Sequence, residues 1–343
     1  MAHDLRPSHG GEGPPLPTAR GRVSAAVEEY LRGAGPPPRH EDVADTAVYG
    51  DDLQLALYLC YELHYRGFAG VPETHEWDPD LLRLRAALEH RFLTALRADA
   101  PTHDSVEDAL ADLLVEPVDG SGVSHYLCAE GELWQLREYA AQRSLYHLKE
   151  ADPHAWVLPR LWGRAKAGMA AVEFDEYGGG RPDRVHARLF ADLMTDLGLD
   201  PAYGRYLDEA TAEALATVNL MSLLGLHRAL RGALVGHFAT VEITSSPASR
   251  RLAEAMRRTG AGPAAEHFYD EHVEADAVHE QVVRHDVIGG LLAEEPHLAP
   301  DVAFGIDVTG HLEDRLADRL LGAWRTGRSS LRRPLRSEMP LTF

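Results

Sequence analysis

The sequence predicts an all-α fold, and three observations predict it. From Ala47 onward apolar residues recur at helical spacing. Clusters of Gly, Pro, Ser and Asp interrupt that periodicity at short intervals. β-Branched residues nowhere alternate over the length of a strand. Amphipathic helices joined by short loops must bury their apolar stripes on one another, so a helical bundle follows.

Residues 1–40 are rich in Pro, Gly and charge (GGEGPPLPTARGR, GAGPPPRHED) and read as a disordered leader, with a short helix at 23–31. Residues 41–121 read as N-terminal accessory helices. Segment 51–67 has an apolar face and a glycine stop, 78–97 opens on an Asp-Pro-Asp start signal, and 104–114 gives a further short helix. The main domain runs from 122 to 335. Its helices are expected at 124–150, 156–177, 183–197, 203–243, 246–259, 262–294 and 308–327. The breakers are Asp152-Pro153, Gly178-Gly179-Gly180-Arg181-Pro182, Ser245-Ser246-Pro247 and the stretch 260–263. Residues 336–343 form a tail, and no internal repeat is visible.

At 343 residues and 45% hydrophobic, the chain can bury a sizeable core as one large domain or two smaller ones. A net charge of −20 argues against nucleic acid and against an anionic membrane surface, since both attract Lys and Arg. Two cysteines, Cys60 and Cys128, cannot build a disulfide framework or a Cys-rich zinc site. No apolar signal core and no long apolar run is present, so a cytoplasmic location is expected.

His272, Asp276 and His279 form an H-x3-D-x2-H run. On a helix turning about 100° per residue, the second and third positions lie only about 40° and −20° from the first. Two imidazoles and a carboxylate on one stripe suit a borderline metal such as iron, manganese or zinc. His267 and His285 project about 220° away, to the opposite face. Alone, such a run is more often a solvated polar face than a metal site. A two-metal site also needs carboxylates from facing helices. Glu150, Glu176, His186 and Glu242 are the candidates, each on a helix that is apolar over part of its circumference. Glu150, Glu176, Glu242 and Asp276 together carry the charge that two divalent cations would balance. Without cations or protons, such convergence would be strongly destabilising.

In order and spacing these residues resemble the haem-oxygenase-like di-iron oxidases and oxygenases, also described as iron-containing redox enzymes. That family uses a carboxylate, a Glu with a His about ten residues on, a lone Glu, and H-x3-D-x2-H about thirty residues later. Here the matching residues are Glu150; Glu176 with His186; Glu242; then His272, Asp276 and His279. DEYGGG followed by the His-bearing helix is similar too, and the likeness covers about 122–335. The segment YELHYRGF with LEHRFLTAL resembles accessory helical regions of bacterial members.

The resemblance implies a haem-oxygenase-like helical bundle with an extra N-terminal helical region. It implies a seven-ligand site for two Fe, with O2 as co-substrate and an external reductant or electron donor. His186, His272 and His279 would be terminal nitrogen ligands, Glu176 and Glu242 bridging or chelating, Asp276 a terminal carboxylate and Glu150 the extra one. That seventh ligand is similar to members that oxygenate nitrogen; six-ligand members fragment fatty or amino acids. The expected reaction is therefore N-oxygenation of a small amine-type metabolite through a peroxo-di-iron(III) species. The alternatives are a C–C-cleaving di-iron oxidase and a non-catalytic iron-binding bundle. Haem binding would leave four carboxylates unexplained. A homodimer is the assembly the resemblance suggests.

Several neighbours carry two readings. Glu173, one turn before Glu176, points the same way, but the family spacing favours Glu176. His147 and His237 are expected beside the ligands or on the surface, and His64 and His90 to be structural. Tyr146, Tyr177, Phe268 and Tyr269 are core or pocket lining. Gly225, Gly232 and Gly236 favour close helix packing over room for O2. The basic GAWRTGRSSLRRPLR offers Arg328 or Arg332 to a substrate carboxylate, but reads better as a helix end and a solvated tail.

Overall fold

The computed structural model describes residues 13–115 and 120–335; in residues 263–282 the side chains of Glu274, Asp276 and Ala277 lie outside the description. The residues expected as the tail, 336–343, also lie outside it. Among the described residues there are helices and turns but no strand, so the all-α, haem-oxygenase-like expectation holds.

The short helix expected at 23–31 is present as α1, Arg22–Leu31, and the leader around it is ordered from residue 13 on. Helix α1 buries Val23, Val27 and Leu31 against α2, Asp51–Glu62. Its first turn is capped from a distance, because Asp52 accepts from the backbone N–H of Val23 at 3.0 Å and of Ser24 at 2.7 Å. The disordered leader expected over 1–40 is therefore corrected from residue 13 on; residues 1–12 lie outside the description. Composition predicted disorder, but a partner in another helix supplies the missing cap.

Local signals do set the next two helices. Asp78 caps α3, Pro79–Asp99, by accepting from Asp80 and Leu81 N–H, and Ser105 caps α4, Val106–Leu114. The expected helix 124–150 divides into α5, Val123–Ala129, and α6, Leu133–His147. The Arg258 guanidinium takes the carbonyls of Leu127 at 2.8 Å and Cys128 at 2.9 Å, which ends α5. Next come α7, Asp152–Ala155, α8, Gly163–Glu176, and α9, His186–Asp196.

The expected helix 203–243 also divides, into α10, Ala212–Leu226, and α11, Arg231–Thr259. Arg160 holds the freed carbonyls of Gly225 and Leu226. The stop expected at Ser245-Ser246-Pro247 does not occur; α11 runs through Pro247. Hydroxyls near the proline take backbone carbonyls: Thr244 Oγ1 donates to Thr240 O at 2.7 Å and Ser245 Oγ to Glu242 O at 3.4 Å. Gly260, at φ 69°, then ends the helix in the left-handed conformation.

The expected helix 262–294 is α12, Pro263–Val282, then one π-helical stretch, Val283–Ile288, then α13, Gly289–Glu294. Arg164 on α8 binds the His285 carbonyl at 2.6 Å and Asp286 at 2.7 Å, holding the π stretch in place. The last helix, α14, is Ala299–Trp324. Beyond it the chain returns to the core: Ser330 N and Oγ both donate to Glu138 Oε2 at 2.8 Å. The solvated tail expected after that helix is thus corrected as far as residue 335.

Two apolar clusters make up the interior. One joins α1–α4 to α8, α10 and the first halves of α11 and α14, so the N-terminal helices share a core with the rest. The other joins α6, α9, α12 and the second halves of α11 and α14. The seam between them crosses α6 near its end and α11 near its middle, between Tyr146 and Leu148 and between Ile243 and Leu252. Glu150 and Glu242 emerge at that seam.

Helices α11 and α14 approach backbone to backbone. A Cβ at Gly236 would meet the Val302 carbonyl at 2.0 Å, and one at Gly305 the Ala233 carbonyl at 2.0 Å. Gly225 likewise abuts the Pro153 carbonyl. These glycines serve close packing. Gly236→Ala should lower unfolding free energy by about 2–3 kcal/mol or more; an unchanged urea midpoint would contradict the close approach.

Candidate metal centre

Four helices and one turn bring the predicted residues together. Glu150 sits in the turn after α6, Glu176 ends α8, His186 opens α9, Glu242 lies on α11, and His272 and His279 lie on α12. All six are at most 7% exposed. Two donor groups form: Glu150, Glu176, His186 and His272 in one, and Glu176, Glu242 and His279 in the other. Within each group one ligand atom per residue lies within 4.8 Å of every other, and Glu176 belongs to both. The Asp276 side chain lies outside the described residues. His267 and His285 are exposed, as the helical angle requires.

The donors converge on shared space more than on one another. His186 Nδ1 is 2.7 Å from Glu176 Oε2, yet the pair is not aligned as a hydrogen bond. His272 Nδ1–H donates to the Phe268 carbonyl at 2.7 Å. A carbonyl can only accept, so Nδ1 carries a proton, and Nε2, which faces Glu150 Oε1 at 3.8 Å, is the nitrogen whose lone pair a metal would take once its own proton leaves. His279 Nδ1 is 3.0 Å from Glu242 Oε2 and 3.7 Å from Glu176 Oε1. Its Nε2 meets Asp175, a half-exposed carboxylate, at 3.3 Å.

Burial and charge then sort the carboxyls into two states. Burial alone would raise Glu150, but His147, 2.7 Å away, and His272 overcome it and hold the group well below the usual carboxylate range. Glu150 Oε2 has no hydrogen-bond partner among the described residues. Burial, then Glu176 and Glu242, push Glu173 up to about 9. Glu173 therefore carries a proton at neutral pH, and it joins neither donor group. Glu176, the residue that the family spacing favours, is in both donor groups.

A cavity of about 890 Å³ adjoins the cluster, within the range of small-molecule sites. Tyr146, Glu150, Glu176, Glu242, Phe268 and His272 are on its wall. Tyr269, whose buried hydroxyl lacks a partner, also lines it. Tyr177 lies elsewhere, donating to Asp152 at 3.0 Å. Neither Arg328 nor Arg332 reaches the cavity; Arg332 binds the Asp208 and Glu209 backbone. Arg143, paired with Glu313 at 2.8 Å, lines it together with Arg251 and Arg325, and sequence reasoning singled out none of the three.

A buried polar chain ends on the same wall, and its proton positions follow from its far end. Thr309 Oγ1 donates to the Gly305 carbonyl at 2.6 Å, so it accepts from His237 Nδ1–H at 2.8 Å. His237 Nε2 must then accept from His154 Nε2–H at 3.2 Å, and His154 Nδ1 accepts from the Tyr146 hydroxyl at 3.5 Å. Burial keeps both rings neutral, with His237 pushed down to about 4 and His154 well below its ordinary value. The Tyr146 proton thus points to His154, which also lines the cavity. His154 gave no signal in sequence, since its partners are far away along the chain.

The donor set fits divalent iron. It supplies three buried carboxylates, one of them held ionised with an unpartnered oxygen, and three imidazoles, one of which turns Nε2 toward Glu150. Glu173 yields a test that needs no metal. An unfolded glutamate titrates near about 4.3. With the folded value near 9, the stability penalty is absent below the unfolded value and grows as pH rises toward the folded one. Metal-free Glu173→Gln should therefore be more stable than the parent by on the order of 3 kcal/mol at pH 7. The gain should vanish near pH 4; equal stability at both pH values would contradict the assignment.

No curated protein matches the sequence. The sequence profile of the family described as iron-containing redox enzyme matches residues 137–314, a span that includes Glu150, Glu176, His186, Glu242, His272, Asp276 and His279. That span is more than half of the chain, and it contains the buried cluster that could bind a metal. With this geometry and this match, the chain belongs to the iron-containing redox enzyme family, and its cluster fits an oxidoreductase's iron site.

Proposed function

We propose that the protein is a non-haem di-iron oxygenase that inserts oxygen from O2 at the nitrogen of a small amine-type metabolite, drawing electrons from an external donor. Glu176, common to both donor groups, is the observation that carries the two-iron part of this reading. Glu150 carries the choice of reaction, since the seventh carboxylate resembles that of N-oxygenating members.

Two irons, when bound, supply the redox and Lewis-acid chemistry by which O2 is activated. Glu150, His186 and His272 would hold one, and Glu242, Asp276 and His279 the other, with Glu176 between them. His147 fixes Oε1 of Glu150, the oxygen nearest His272, and Oε2 has no hydrogen-bond partner among the described residues. Phe268 fixes the His272 tautomer through its carbonyl. Tyr146, Phe238 and Phe268 give the cavity wall apolar surface among its charged and polar residues. Tyr146, its proton committed to His154, presents lone pairs to the cavity and so favours an N–H donor there. Glu173 holds a proton one helical turn from Glu176.

Protein loaded anaerobically with Fe(II) should consume O2 in the presence of a metabolite extract and a reductant. Isotope-labelled oxygen should appear on an amine nitrogen. Glu150→Ala should abolish that product. Cleavage of a C–C bond that survives Glu150→Ala would contradict this reading in favour of a six-ligand oxidase. No O2 uptake with any amine would favour iron binding without catalysis.

Metal should also stabilise α12, because ligand bonds from His272 and His279 would tie it to the facing helices. Amides in 265–285 should exchange hydrogen faster in metal-free protein than after Fe(II) loading. Equal protection in the two states would count against ligation by His272 and His279.

A further inference from the structure

We infer that the buried ion pair between Lys149 and Glu62 positions Glu150, so that the N-terminal helices act on the candidate metal centre. The inference rests on the proposed reading of Glu150 as a metal ligand.

Lys149 immediately precedes Glu150. Its Nζ lies 2.8 Å from Glu62 Oε2 at the end of α2, and the two side chains are 1% and 0% exposed. The ammonium also faces the rings of Tyr65 and Tyr58, at 4.1 Å and 5.1 Å from their centroids. The other Glu62 oxygen accepts from the Tyr203 hydroxyl at 2.6 Å and the Arg66 N–H at 3.3 Å. Arg66 in turn donates to the carbonyl of Leu148 at 3.0 Å. Leu148 and Lys149 are thus both tied to α2 or the turn that follows it, while Glu150 itself is tied to His147.

On the other side of Glu150 the backbone is strained. Ala151 has φ 75° and ψ −34°, the one positive φ among the described non-glycine residues. A residue with a Cβ stays in that region only where its surroundings over-determine it. The Lys149–Glu62 pair is such a surrounding. A fully buried ion pair is a poor source of stability, since a well-packed apolar pair often does as well. What an apolar pair lacks is direction: the charged pair fixes where Lys149 points, and so where the next residue must turn. Glu150 consequently meets His272 and the shared Glu176 without searching.

The test is a Co(II) titration, followed by visible absorption and calorimetry, of the full chain, of Glu150→Ala, and of the double variant Glu62→Gln with Lys149→Met. The double variant leaves no unpaired buried charge and keeps an acceptor for the Tyr203 hydroxyl, and its folding is checked by thermal melting. The parent should bind two Co(II). The double variant should keep one site at parental affinity and weaken the other by about tenfold or more, as Glu150→Ala does. Should the double variant not fold, Lys149→Arg, which retains charge but alters reach, carries the same one-site expectation. Two unchanged sites would overturn the inference. So would equal weakening of both with a lowered melting temperature, which marks a merely structural pair. A parent that binds fewer than two Co(II), or a Glu150→Ala protein that binds both as the parent does, would instead overturn the reading of the centre, and the inference with it.

Discussion

Ionised carboxylates in a dry interior repel one another unless positive charge or protons accompany them, and Glu150, Glu176 and Glu242 are held in such an interior. Much of the surrounding structure answers that constraint. Three imidazoles approach the carboxylates from α9 and α12. Glu173, the nearby carboxyl left outside both donor groups, keeps its proton. His147 secures Oε1 of Glu150, the oxygen that faces His272. Two irons would complete the compensation, consistent with the family to which the chain belongs.

The scaffold supplies rigidity where the cluster needs it. Glycines let α11 and α14 meet backbone to backbone, which fixes the helix carrying Glu242. The His237–His154 chain crosses the same interface and ends at Tyr146 beside the cavity. Helices α1 and α2, far from the cluster in sequence, share its core and contribute Glu62 to the turn bearing Glu150. The N-terminal helices are in this sense part of the site's support.

Much of this was legible in the sequence because it is local or periodic. Helix stripes gave the fold class, and the helical angle placed His272 and His279 inward and His267 and His285 outward. Glu150, Glu176, His186 and Glu242 were found by spacing, and the structure gathers all four. What was not legible depends on partners distant along the chain. Arg160 ends α10, Arg258 ends α5, and Asp52 orders α1. His154, Arg143 and the Lys149–Glu62 pair gave no sequence signal for the same reason. A buried charge pair looks like two surface residues until the fold encloses it.

The central claim is that Glu176 joins two metal positions within one buried cluster. Diffraction from crystals loaded anaerobically with Fe(II), recorded on either side of the iron absorption edge, tests it most directly. Two anomalous peaks should flank Glu176, one beside Glu150, His186 and His272, the other beside Glu242 and His279. A single peak, or iron bound away from Glu176, would contradict it.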